Sequence, residues 1–375
     1  MLAEVFALST AGIAFTYAGY PLLLAFAARH RERPVHRAPT SAPVTIVIVA
    51  YNEAERIGAK IENCLAQDYP GKLRIVVASD GSDDATPDIV RRYADRSVHL
   101  FPFPERRGKA ACLNDVLAAC MDEFIVFCDV RQRLEPQAVA SLLANFADPE
   151  VGAVSGELAF ESDSVTGFGE GVDAYWRYEK WIRRNEARID SVIGVSGALY
   201  SLRRPLWQPI PPQTILDDVL VPMNVVLQGR RVVFEPQAVA WDRASTQAAQ
   251  EKRRKVRTLA GNFQLLTLRP SLLLPWRNRL FVPFFCHKVL RLVVPLLMVA
   301  AFVSNLLIAR HHDRLWTLLL LAQVAAYALA LYGPRSTALQ RRKPVRLLAS
   351  FFQLNLCVVH GFVEFLTNRN AHRWR

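Results

Sequence analysis

The chain has 375 residues, 51% of them hydrophobic and 21% charged, and a formal net charge of +12. That length allows one large or two modest domains. The composition is too apolar for a disordered chain or for a purely nucleic-acid-binding one.

The apolar residues concentrate at the two ends. Residues 5–28 carry no formal charge, and residues 292–309, 315–334 and 347–363 are similar runs. A bilayer core takes about 20 apolar residues of helix, so these are transmembrane candidates. The first, residues 1–28, reads as a retained anchor, because only Glu4 precedes a long core and no basic leading segment is present. Residues 29–43 form a basic, proline-broken linker. Residues 269–291 mix Trp, Phe, Pro and basic side chains and read as an interfacial segment against the membrane. Residues 292–366 hold about three further apolar helices, and 367–375 a tail. Arg29, Arg31, Arg33 and Arg37 follow the first run; Arg335, Arg341, Arg342, Lys343 and Arg346 separate the third and fourth. Both segments, and the large middle region with them, are expected to be cytoplasmic. Arg369, Arg373 and Arg375 then sit badly outside if the fourth run crosses fully, which favours an interfacial or re-entrant course for it. The six cysteines show no Cys-x-x-Cys spacing and read as small core residues.

In the middle region, residues 44–268, the pattern becomes α/β. Strands are expected at 44–50, 73–79, 98–101 and 124–128, alternating with helices at 53–67, 84–95 and 108–121. Such alternation implies a mostly parallel sheet covered on both faces, with ligands beyond the C-terminal ends of its strands. Those ends are distinctive: "AYNE" (50–53), "SDGSDD" (79–84) and Asp129. Taken singly, Asn52 and Asp83 read as helix caps and Asp80-Gly81 as a turn; three such strand ends together read as a site. Neither Gly-x-Gly-x-x-Gly nor a Walker A sequence is present, which argues against a dinucleotide oxidoreductase and a P-loop NTPase.

The segments "VIVAYNEAERI" and "VVASDGSDDAT" resemble the nucleotide-sugar-binding half of the family 2 glycosyltransferases, inverting enzymes with a GT-A fold, and the flanking spans resemble that family's membrane-embedded polysaccharide synthases. The resemblance covers roughly residues 42–266. It implies that Ala50, Tyr51, Glu53 and Asp80 bind the nucleotide of the donor. In "RRGKAACLN" it implies that Lys109 lies near the diphosphate; free amides and a cation at a helix start suit a phosphate on physical grounds as well. The family's Asp-x-Asp is "DVR" here, so Asp129 is the implied ligand of Mg²⁺ or Mn²⁺ and Arg131 replaces the second acid. "QTILDDVLVP" makes Asp218 the implied catalytic base and Asp217 its neighbour. "VIGVSGALYSLRR" places Ser196 and Gly197 on the acceptor side. "QEKRR" matches Gln-x-x-Arg-Trp at Gln250 and Arg253, with Arg254 in place of the tryptophan; Tyr175, Trp176, Tyr178 and Trp181 are candidates for a substitute sugar platform.

Inverting transfer needs one carboxylate to take the acceptor proton and a cation to meet the leaving diphosphate. Arg131, Lys109 and Arg253 could share that second task; Arg131 could instead pair with Asp129 or Asp80. The polybasic 253–257 stretch suits donor phosphate or anionic lipid rather than nucleic acid. The reading implied is a hexosyltransferase-type enzyme of the bacterial cytoplasmic membrane. It would move sugar from a nucleoside diphosphate, by family likeness UDP, to a growing polysaccharide or a lipid-linked acceptor, in company with membrane lipids and other assembly or export proteins. A non-catalytic, membrane-anchored sugar-nucleotide sensor is the alternative.

Overall fold

The structure, a computed structural model, describes residues 1–161, 169–243, 248–311, 313–340, 342–368 and 371–372. Its centre is the strand the sequence marks most clearly. "VTIVIVA" forms β1 (Val44–Ala50), every residue of which is buried, as an apolar run in a doubly covered sheet must be. Around it lie β2 (Leu73–Asp80), β3 (Val98–Phe103), β4 (Phe124–Cys128), β5 (Arg133–Leu134), β6 (Val151–Phe160), β7 (Leu199–Arg203) and β8 (Arg231–Asp242), in the order β3-β2-β1-β4-β7-β6-β8-β5. The first four strands are parallel. The expectation of a mostly parallel sheet stops there: β7 runs antiparallel to both β4 and β6, and β5 to β8, so the sheet is mixed.

Helices cover both faces and make two cores. On one side α2 (Ile57–Leu65), α3 (Thr86–Arg91) and α5 (Ala138–Ala144) bury Ile57, Ile61, Val90 and Leu142 against Ile46, Ile48 and Val126. On the other, α4 (Lys109–Ala119) and α7 (Asp217–Leu227) bury Leu113, Leu117, Met223 and Val225 against Val47, Phe127 and Tyr200. Burying one such side chain contributes about 1.5–3 kcal/mol, so these cores fix where α4 and α7 begin, and those beginnings carry the site. The first helix starts later than expected, at Ile57 rather than 53, because the amides of Glu53 and Ala54 are taken by Thr86 Oγ1 (2.8 Å) and Asp84 Oδ2 (3.0 Å).

Two longer helices join the domain to the apolar ends: α6 (Gly169–Ile189) and α8 (Ala248–Leu268). Beyond them, four helices are long and apolar enough to cross a membrane: α1 (Leu2–His30), α9 (Phe281–Ala309), α10 (Arg314–Arg335) and α11 (Lys343–Thr367). Two boundaries differ from the sequence reading. The segment 269–291 is no separate interfacial helix: Pro270–Leu273 is a 3₁₀ turn, and from Phe281 the chain is already α9. The fourth apolar run is one helix that ends on the domain: Gly361 lies against Leu259, and Phe263 meets the rings of Phe362 and Phe365. Ala371 packs into the same core as α4. Arg341, Arg369, Arg373 and Arg375 lie outside the described residues. All six cysteines are buried and unpaired by disulfides.

Candidate active site

Two loops at the ends of β1 and β2 are tied to each other. Asn52 adopts a left-handed backbone (φ 53°). Its side chain donates to Asp83 Oδ1 (2.5 Å) and accepts from the Asp83 amide (3.1 Å). These residues therefore tie loop to loop rather than cap a helix. Asp80 is buried and accepts the amides of Arg107 (2.6 Å) and Gly108 (2.9 Å). Gly81 makes this possible: its φ is +67°, and a Cβ there would lie 2.4 Å from the Arg106 nitrogen. The clamp also sets the Arg106 guanidinium 3.8 Å above the Tyr51 ring. Ala50, Tyr51, Glu53 and Asp80 thus share one edge, where Asp80 holds the Gly-Lys turn and Glu53 pairs with Arg56 at 3.2 Å.

The turn delivers Lys109 into a cluster of acids. Lys109 Nζ donates to Asp129 Oδ1 at 3.0 Å and lies 3.5 Å from Asp217 Oδ2. Three segments distant in sequence therefore meet: the start of α4, the end of β4 and the start of α7. Asp217 and Asp218 occupy the first turn of α7, where the helix dipole favours negative charge. Leu216 is the N-cap, so Asp218 is no capping residue. Residues 192–204, expected on the acceptor side, lie against it. The Val195 amide donates to the Asp218 carbonyl (2.8 Å), and a Cβ on Gly197 would sit 3.6 Å from Asp218 Oδ2. Ser196 is buried, its amide donating to Ser155 Oγ at 3.0 Å.

The electrostatics separate the two acidic roles. Burial works against the Lys109 charge, but Asp129, Asp217 and Asp218 outweigh it and hold the ammonium protonated well above its ordinary range. Burial and the neighbouring Asp217 charge push Asp218 up to about 6, with Lys109, Lys288 and Arg183 pulling the other way. Asp218 Oδ1 is buried and has no hydrogen-bond partner among the described residues. It is a carboxylate poised to take a proton near neutrality.

Arg131 pairs with neither Asp129 nor Asp80. Its partner is Asp242, buried at the end of β8, whose Oδ2 also accepts from Gln132 Nε2 at 3.0 Å. Arg131→Ala is expected to lower thermal stability by about 1–3 kcal/mol, the usual range for stripping a charged partner from a buried acceptor. An unchanged melting temperature in detergent would show that Gln132 and the Arg243 amide, which donates to Asp242 Oδ1 at 2.8 Å, satisfy Asp242 alone.

The α8 motif is rotated relative to expectation. Gln250, Arg253 and Arg254 are exposed; Arg254 and Arg257, one helical turn apart, lie within electrostatic reach of the acids. Partial desolvation and the Arg131 charge lower Arg254, with Asp242 and Asp129 opposing. Burial lowers Arg257, with Asp217, Asp218 and Asp129 opposing. Arg257 Nε also donates to the Ala371 carbonyl (3.1 Å), and the His372 ring lies against Gly108. Ala371 and His372 thus lie over the turn that presents Lys109. Tyr178 is engaged with the Tyr17 carbonyl at 2.9 Å and Trp181 is exposed, so neither forms a platform beside Asp218; the side chains of Tyr175 and Trp176 lie outside those described. Asp242, Ala371 and His372 were missed by the sequence reading, and Arg257 was read there only as part of the polybasic 253–257 stretch.

Among the described residues, no group of three or more His, Cys, Asp or Glu is arranged to hold a metal ion. Asp129, its side chain 34% exposed with one oxygen on Lys109, fits a cation that takes one carboxylate here and its other ligands from a diphosphate and water.

Residues 45–206 match the model of the family described as Glycosyl transferase family 2. The chain carries a family 2 glycosyltransferase domain. Poly-beta-1,6-N-acetyl-D-glucosamine synthase of Staphylococcus aureus is 26% identical to it over 204 residues, 53% of this chain and 49% of that protein. The protein of the same name from Staphylococcus epidermidis is 24% identical over 206 residues, with the same coverage. The chain spans about half the length of these curated relatives. The structure of mannosyltransferase PcManGT from Pyrobaculum calidifontis, in complex with GDP-Man and Mn²⁺, superposes with a TM-score of 0.72 at 25% identity, covering 97% of this chain and 99% of that one. The glycosyltransferase domain has the GT-A fold, flanked by the four apolar helices.

Proposed function

We propose that the chain is a membrane-bound inverting glycosyltransferase that moves a sugar from a nucleoside diphosphate to a hydroxyl of a glycan or lipid-linked acceptor. The observation that carries this reading is Asp218: a partly buried carboxylate raised to about 6, with an unpartnered oxygen, beside Gly197. The acceptor hydroxyl approaches the anomeric carbon from the face opposite the diphosphate, and Asp218 takes its proton as the new bond forms. Charge growing on the departing diphosphate meets Lys109, the free amides at the start of α4, and Arg257. Asp129 is the residue that would hold Mg²⁺ or Mn²⁺, and the chemistry such an ion supplies there is neutralisation of diphosphate charge.

The apolar helices support a membrane setting. Leu22, Leu23, Leu296, Leu318 and Leu321 each expose more than half of their surface, an apolar face that water does not tolerate at this extent. The arginines at 29–37 and 335–346 support a cytoplasmic side for the domain. Because α11 ends against α8, we read it as lying along the membrane face of the domain.

The test is release of nucleoside diphosphate from a panel of donors, with and without EDTA. UDP-sugars are included for likeness to the synthases, and GDP-mannose because the solved neighbour holds it. Turnover of at least one donor is expected, suppressed by EDTA. Full activity in EDTA would remove the ion from the proposal, and no turnover with any donor and extract-derived acceptor would sink the enzyme.

A further inference from the structure

A cavity of about 80 Å³ adjoins Asp218 between α6, α7 and α9. Glu179, Arg183 and Glu186 line it from α6, Asp218 from α7, and His287 and Lys288 from α9. Two of its carboxylates are already engaged. Glu179 accepts from His287 Nε2 (3.1 Å) and from Arg291. Glu186 Oε1 meets the Tyr20 hydroxyl (3.0 Å) and His287 Nδ1 (2.7 Å). His287 thereby ties the domain to α9, and the two glutamates are committed to other partners. The lining cations are not: among the described residues, neither Arg183 nor Lys288 has a hydrogen-bond or ion-pair partner.

Arg183 and Lys288 repel each other across this small cavity, and the Asp218 and Glu179 charges that partly offset the repulsion act from beyond ion-pair distance. An anion between them removes that penalty. Two acceptor atoms in the same lining are also orphaned: Glu186 Oε2 and Asp218 Oδ1 are buried without a hydrogen bond. The complementary ligand therefore brings negative charge for Arg183 and Lys288 and hydroxyl donors for the two oxygens. A water molecule needs about 10–15 Å³ of such space, so the cavity has room for a tetrahedral oxyanion. Its place in the fold fits as well. Lys288 lies in a π turn, Phe285–Val289, within α9, a widened turn of a kind that recurs at functional sites. The turn stands where α9 leaves the domain, the level at which a lipid headgroup would lie.

We propose that this cavity seats the phosphate of a phosphorylated sugar acceptor, with Arg183 and Lys288 as its counter-ions and a hydroxyl of the same acceptor presented to Asp218. The proposal rests on the reading of Asp218 as the base that faces the acceptor. Its phosphate comes either from a lipid-linked sugar or from a soluble sugar phosphate.

The experiment uses the full chain in detergent with its donor side filled by saturating UDP or GDP, whichever binds. Inorganic phosphate and geranylgeranyl phosphate are then titrated, with geranylgeraniol as the uncharged control. Both phosphates are expected to bind and the alcohol not. Arg183→Gln and Lys288→Gln should each weaken phosphate binding by about tenfold or more, Lys288→Arg should retain most of it, and nucleotide affinity should stay within about twofold. Each glutamine variant should melt within about a few degrees of the wild type without phosphate, since neither cation has a hydrogen bond or ion pair to lose and each gives up only a longer-range attraction to Asp218. Tighter binding of geranylgeranyl phosphate than of inorganic phosphate marks a lipid-linked acceptor; equal binding marks a soluble one. No phosphate binding beside bound nucleotide, or binding that both glutamine variants preserve, overturns the proposal. Phosphate binding that depends on both cations, in a chain that binds no nucleotide, would sink the glycosyltransferase reading and leave the phosphate seat standing.

Discussion

Asp218→Asn is expected to slow sugar transfer by roughly a hundred- to ten-thousandfold, the range that a positioned general base contributes, while donor affinity stays near wild type. The amide keeps the shape and the hydrogen-bonding reach of the carboxylate but cannot accept the acceptor's proton. The residues proposed to hold the donor, Lys109, Tyr51 and Asp129, sit elsewhere, so nucleotide binding has no reason to change. Transfer kinetics and nucleotide titration on the same preparation check both halves. Transfer within tenfold of wild type would displace Asp218 from the role. An active wild type beside an inactive variant would exclude the non-catalytic sensor reading.

The same substitution has a signature in pH and in stability. Asp218 must be ionised to act, and its carboxyl sits at about 6. Transfer should therefore fall as the pH drops through 6 and level off above it, Lys109 remaining charged throughout. For stability the sign runs the opposite way. A carboxyl raised in the folded state stabilises the fold while protonated, and that contribution is lost as the pH rises through 6. At pH 7.5 the wild type carries a charge the fold disfavours, by an amount on the order of 1–3 kcal/mol. Asp218→Asn should accordingly melt later than wild type at pH 7.5, keep about half of that gain at pH 5 and show little of it near pH 3.5. A less active and more stable variant is what a strained functional group predicts; a variant that melts earlier at pH 7.5 would mean that Asp218 is held by attraction rather than against it.

The parts of this site legible in sequence were those that local pattern determines. An apolar run that stops at a polar residue marks a buried strand and its end, so Ala50, Asp80 and Asp129 could be placed from β1, β2 and β4 alone. Lys109 followed from a Gly-Lys at a helix start, and Asp217 and Asp218 from the resemblance. What escaped was decided by tertiary closure. Asp242 reaches Arg131 across 111 positions, through the pairing of β8 with β6 and β5. Arg257 meets Ala371 across 114. The choice of Arg254 and Arg257 over Arg253 is one of helix rotation: residues three apart share a face, and only the packing of α8 against α11 says which face. The antiparallel β7 escaped because "VIGVSGALYSLRR" was read as an acceptor-side lining; its second half is a strand as well, and that pairing holds Gly197 beside Asp218.

Lys109 should prove the costliest side chain in the cluster to neutralise. It touches Asp129 at 3.0 Å and Asp217 at 3.5 Å and acts electrostatically on Asp218. Its own attraction to the acids is stronger than the burial that opposes its charge. Lys109→Met keeps the bulk and removes the charge, leaving carboxylates to face one another in a low-dielectric setting. Breaking a buried pair from one side costs about 3–5 kcal/mol, so a fall in melting temperature of many degrees is expected. Any folded fraction should also transfer sugar only at higher pH, because Asp218 loses one of the charges that pull its carboxyl down. Lys109→Arg separates charge from shape. It should recover most of the stability and keep the wild-type pH profile, with weaker transfer because the guanidinium does not fit the seat of an ammonium. A Lys109→Met chain that melts like wild type, or an Arg variant that shifts the pH profile as Met does, would mean that Asp129, Asp217 and Asp218 are not held together by this one cation.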